Sequence, residues 1–78
     1  MKKSDIFIGL KFKPSIISNM EGLYGVVSDI KDNTILYDWI SIETGDYKGS
    51  TNLKIDKFLQ CFEYYGYIVL TPLEQELL

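Results

Sequence analysis

Apolar and polar residues alternate along most of this chain, and at one place the alternation gives way to a helical spacing. In "DIFIGLKFKP", Ile6, Ile8, Leu10 and Phe12 recur at every second position, the period of a strand with one buried face. Phe7, Gly9, Lys11 and Lys13 point the other way, and Pro14, which has no N–H for a ladder, ends the run. "SIISNMEG" mixes turn formers with Ile16, Ile17 and Met20, and reads as a loop that tucks these three under the sheet.

"LYGVVSDI" and "TILYDWISI" are both β-rich, with "KDN" between them. A two-residue turn at Asp32-Asn33 suits a tight hairpin, because Asn tolerates positive φ. It sets Ile30 opposite Ile35 and Val26 opposite Trp39. One face then carries Tyr24, Val26, Ile30, Ile35, Tyr37 and Trp39. The other carries Val27, Leu36, Ile40 and Ile42 among Gly25, Asp29 and Asp38. A three-residue turn would mix these faces. On the two-residue register Trp39 is expected to be largely buried.

"ETGDYKGSTN" is rich in Gly, Asp, Ser and Thr and reads as a loop or exposed hairpin tip. Leu53 and Ile55 suggest a short strand. Ile55, Phe58, Leu59 and Phe62 then fall at i, i+3, i+4 and i+7, one face of a helix. Asp56 is the expected N-cap and Gly66 the left-handed stop. Such a helix is too short to stand alone and must dock on the sheet. "YIVLT" reads as a last strand, ended by Pro72. The tail "LEQELL" either forms a short helix or frays, and Leu73, Leu77 and Leu78 are placed to meet a partner chain.

The predicted order is strand, loop, hairpin, loop, short helix, last strand. The fold class is mainly β with one short helix (α+β), about five antiparallel strands, the helix preceding the last of them. In "DIFIGLKF", "YGVVSDIKDNTILYDW" and "STNLKIDKFLQCFEYYGYIVL" this layout resembles the small, uncharacterised SH3-like barrel proteins of phages and mobile elements, where "I-D-x-F-L" before an aromatic-rich helix is common. The resemblance spans residues 5–71 of what is expected to be a single domain of residues 1–78, with 72–78 as its tail. It implies a barrel and carries over no catalytic residue. "ILYDWI" is similar to the A-L-Y-D-Y string of signalling SH3 domains. The Asn-Tyr pair and the tryptophan pair that complete their polyproline groove are missing, so the string is read as one strand of a sheet.

At 78 residues the core is thin: a chain of this size buries only about 60–65% of its unfolded surface. Cys61 is the only cysteine, so no internal disulfide staples the fold, and small unstapled scaffolds often self-associate. There is no signal-peptide pattern or long apolar run, so the cytoplasm is the expected compartment. With one cysteine and no histidine, the chain lacks the donors of a structural zinc site and the usual base for a nucleophilic thiol. "GDYKGST" has the wrong glycine spacing for a phosphate loop. Catalysis is therefore not expected, and neither is a cofactor or metal.

Net charge is −3, and all eight basic residues are lysines. Lys2, Lys3, Lys11 and Lys13 cluster near the start, and Phe12 beside them would be the residue to stack on a base. An acidic chain without arginine is still a poor phosphate binder. The absence of alanine and abundance of Ile, Tyr and Lys suggest an A+T-rich genome. The expected function is a non-enzymatic protein-interaction module, similar in composition to many anti-CRISPR proteins, such as a phage-encoded inhibitor of a host defence protein. Tyr47 and Tyr65 are the expected exposed contact residues, with Asp29 and Asp38 as carboxylates that could stand where phosphates would. Two alternatives remain. One is an oligomeric small-molecule binder for a nucleotide signal, with Trp39 stacking the base and Lys48 or Lys54 at the phosphate. The other is a structural subunit of a larger assembly.

Overall fold

The Asp32-Asn33 turn forms as expected: both residues have positive φ, 51° and 62°, which matches the right-handed twist of the strands they join. The computed structural model describes residues 2–14, 22–71 and 73. After a 3-10 turn at Lys3–Asp5 come strand β1 (Lys11–Lys13), β2 (Leu23–Lys31), β3 (Thr34–Ser41) and β4 (Tyr47–Lys54). Helix α1 (Ile55–Tyr64) and strand β5 (Ile68–Val69) follow. The strands make one antiparallel sheet in the order β4-β3-β2-β1-β5. Among the described residues no ladder joins β4 to β5, so the sheet is open where a barrel would close. The expected loop at Ile16, Ile17 and Met20 lies outside the described residues, as do Leu77 and Leu78, while Leu73 is exposed.

The hairpin register holds near the turn and then shifts. Ile30 pairs with Ile35 as expected, but a bulge between Val27 and Asp29 inserts Ser28, whose hydroxyl donates to the Leu36 carbonyl at 3.2 Å. One extra residue exchanges the two faces of everything beyond it. Val26 therefore faces Asp38, and the partner of Trp39 is Gly25. Val27, expected outside, is 1% exposed beside Tyr37 in the core, while Tyr24 and Val26 turn to the opposite face, where Tyr24 is still buried and Val26 half-buried. Trp39 is buried as expected.

Two other segments differ from the sequence expectation. Residues 47–54 form a full edge strand, where "ETGDYKGSTN" suggests a loop. Pairing to β3 from Thr34↔Lys54 to Ile40↔Tyr47 overrides the weak strand propensity of Gly, Ser and Asn. Near the start, only Lys11–Lys13 is strand. Gly9, at φ 97°, turns the chain, so Leu10 and Phe12 are buried but Ile8 is exposed.

Helix α1 follows its periodicity: Ile55 and Phe58 are buried, and Leu59 and Phe62 pack on the same cluster. Ile55 is its first residue, not the end of a strand, and Lys54 holds the N-cap position. Asp56 lies in the first turn, where its charge meets the positive end of the helix dipole. The Ile55 amide donates to the Asn33 carbonyl at 2.9 Å, which ties the helix start to the hairpin tip. Gly66, at φ 65°, ends the helix as expected. The helix lies over the inner face of the sheet, and Phe12 sits between them, ringed by Tyr37, Trp39, Phe58, Phe62 and Tyr67.

Candidate functional site

The inward residues of β4 shrink along the strand. Leu53 stands opposite Ile35, Thr51 opposite Tyr37 and Gly49 opposite Trp39. This taper leaves the floor of β3 uncovered on one side of α1. The result is a groove of about 890 Å³, with Tyr37, Trp39 and Leu53 in its floor and Lys57, Gln60 and Tyr64 on its helical wall. Aromatic rings dominate it, with a few convergent polar groups, the usual make-up of a recognition groove.

Its end is built by an aromatic ladder that runs from core to solvent. Tyr67 stacks on Phe12 at 5.4 Å and 27°, and Tyr65 stacks on Tyr67 at 5.8 Å and 29°. Tyr64 meets Tyr65 edge-on at 5.1 Å. Exposure grows outward: Tyr67 is 8% exposed, Tyr65 50% and Tyr64 82%. Tyr65 rests on the buried Tyr67 ring and so has less rotamer freedom to lose on binding, while Tyr64 meets Tyr65 and otherwise stands in solvent.

A second groove of about 620 Å³ opens on the far side of the helix end. Phe7, Phe62, Ile68 and Val69 line it together with Asp5. Glu63 and Tyr67 border both grooves. Exposed apolar and aromatic residues thus gather around the C-terminal end of α1: Phe7, Tyr64, Tyr65, Ile68 and Val69. Exposed apolar residues gathered along two grooves that share a border on a small protein mark an interaction site.

The buried hydroxyls under the groove are suited to holding shape. Tyr67 donates to the Tyr37 oxygen, which also meets the Thr51 hydroxyl. Burial raises both phenols above their ordinary 10.0, and each would be raised further by a charge on its neighbours. Burial also raises the Cys61 thiol above 9.0, away from thiolate character. All three groups keep their protons longer in the folded chain than in the unfolded one. Their contribution to stability is full below about pH 9 and falls as pH rises past the ordinary values of 9.0 and 10.0 toward the higher folded ones, because the unfolded state then binds fewer protons. Urea denaturation between about pH 8 and 11 should show stability falling with pH. The fall should flatten in Tyr67→Phe, and an unchanged slope in that variant would contradict the assignment.

The residues expected from sequence are not brought to one place. Tyr65 is on the groove rim. Tyr47 is also exposed but lies on the outer face of the sheet, where its hydroxyl is 2.6 Å from Ser50 Oγ, which in turn donates to Asp38 at 2.7 Å. Asp29 is exposed elsewhere on that face, and its carboxylate accepts from the Ile30 amide at 2.9 Å. Phe12 is fully buried and cannot stack on a base. Trp39 does floor the groove, but neither Lys48 nor Lys54 lines it; the cation there is Lys57. Tyr64, one of the tyrosines (with Tyr47, Tyr65 and Tyr67) in excess of what such a core needs, joins the site, as does Glu63, for which no contact role was expected. The available signal was position: both lie off the Ile55–Phe58–Leu59–Phe62 face, where side chains project away from the core.

Among the described residues no group of three or more His, Cys, Asp or Glu could hold a metal ion, and no helix is long and apolar enough to cross a membrane. No protein-family model, curated protein or solved structure matches the chain.

Proposed function

We propose that this chain is a non-enzymatic protein-interaction module that binds a partner protein at the C-terminal end of α1. The observation that carries this reading is the aromatic groove with Tyr64 and Tyr65 standing exposed at its rim. Tyrosine combines a large apolar ring with a polar tip, and it is enriched where proteins bind one another. Net charge −3 and small size fit a phage-encoded inhibitor that occupies a basic surface of a host defence protein from within the cytoplasm. We take the sheet to be an SH3-like barrel left open between β4 and β5, in keeping with the element order.

The test is a tagged pull-down from a low-GC bacterial lysate, read by mass spectrometry with wild type, Tyr65→Ala and Tyr47→Ala in parallel. A stoichiometric protein retained by wild type and Tyr47→Ala but lost with Tyr65→Ala is the expected result. The same protein retained equally by all three would move the interface away from the groove. A second reading, a small-molecule binder, is favoured by the groove's volume, which lies within the range of ligand pockets. Ultraviolet-absorbing material that co-elutes without any protein would support it.

A further inference from the structure

We infer that the C-terminal end of α1 receives an arginine or lysine side chain from an extended segment of the partner protein. This inference rests on the interaction-module reading and names the chemistry of its ligand. Glu63 is the next-to-last residue of α1 and is exposed, and the last turn of the helix contains no basic residue. A helix C-terminus carries partial negative charge, so a carboxylate there is unfavourable and a cation favourable. Among the described residues no cation pairs with Glu63. The chain thus holds an unneutralised carboxylate at the negative end of a helix, at the border of two apolar grooves.

The rings beside it suit the same guest. Tyr64 and Tyr65 present exposed phenol surface next to Glu63, and a guanidinium or ammonium is attracted to an aromatic face. A guanidinium could stack on a tyrosine while forming two hydrogen bonds to the carboxylate. The second groove adds Asp5 and no cation, so its rim has the same sign. Lys57 lines the first groove but lies six residues earlier on the helix, about 9 Å along its axis. That separation gives the groove one positive and one negative end, and so sets the direction of a bound chain. The side chain's apolar stem would lie along the aromatic floor, with its charge at Glu63.

The experiment is selection of a random linear peptide display library on the immobilised full chain. Selected peptides are then titrated against wild type, Glu63→Gln and Tyr65→Ala, with circular dichroism to show that both exposed-site variants stay folded. Peptides carrying Arg or Lys should be enriched. Their affinity should fall about tenfold in Glu63→Gln, the scale of one charge-assisted hydrogen bond. Peptides without basic residues that need Tyr65 but bind Glu63→Gln as well as wild type would overturn the cation site and leave the groove reading standing. No peptide sensitive to Tyr65→Ala, or a groove that binds oligothymidylate instead, would overturn both.

Discussion

Phe12→Ala should leave the chain largely unfolded at room temperature. Phe12 is fully buried, and five aromatic rings surround it with centroids between 5.3 and 5.8 Å away. Truncating a buried phenylalanine costs about 3–5 kcal/mol. Removing the ring also abolishes its aromatic pairings, each on the order of 0.5–1.5 kcal/mol beyond area burial. A domain of this length has only about 4–12 kcal/mol in total. The sheet and helix meet at this ring, and the described residues form one core cluster around it. Near-ultraviolet circular dichroism and urea denaturation check it. A cooperative transition within about 1 kcal/mol of wild type would show that Phe12 is not the centre of the core.

Gly25→Ala should destabilise nearly as much, for the same ring. Gly25 pairs with Phe12 on one side and Trp39 on the other. A Cβ at this position would lie 2.6 and 2.8 Å from Phe12 Cε2 and Cε1, and closer still to Cζ. The ring is held by its five partners and cannot swing aside. Overpacking a tight core costs typically about 1–3 kcal/mol and occasionally more; this clash belongs at the upper end. A thermal melt should fall by on the order of 15 °C for a domain this small. Phe12→Leu in the same chain should recover part of the stability, since the shorter side chain clears the new methyl. Additive effects in that double mutant would mean that the clash is not the cause.

These two residues also mark the boundary of what can be read in the sequence. Phe12 is visible as an inward position, because the Leu10–Phe12 alternation survives even though the strand is shorter than the pattern suggests. Gly25 is not visible as a core residue at all. Its place opposite Trp39 depends on Ser28 bulging out of β2, and one inserted residue reverses the faces of the strand beyond it. Nothing in "VVSDI" distinguishes a flat strand from a bulged one. The packing of the two faces therefore selects the bulge: it places Gly25 under the Phe12 ring and Val27 in the core, where the flat register would have put Val26 over that ring.

The candidate site divides in the same way. Exposure of Tyr65 is legible, because the helical face assigned to the core ends at Phe62. The groove is not. It needs β4 to be a strand, and the Gly49, Thr51 and Leu53 taper acquires meaning only after Tyr37 and Trp39 are set opposite. Tyr47 and Tyr65 look equivalent along the chain, yet strand alternation and the helix end place them on opposite faces of the sheet.

The sequence alone determined the local elements: the Asp32-Asn33 turn, helix α1 with its Gly66 stop, the burial of Trp39 and the acidic, histidine-free chemistry. Periodicity and turn preferences act within a few residues, so they can be read from neighbours. The tertiary structure decided the Ser28 bulge, the pairing of β4, the open sheet and the place of Glu63 between the groove of Tyr64 and Tyr65 and the groove lined by the apolar residues of β5. Those features depend on residues far apart in sequence competing for one small core, and that competition is settled only when the whole chain has packed.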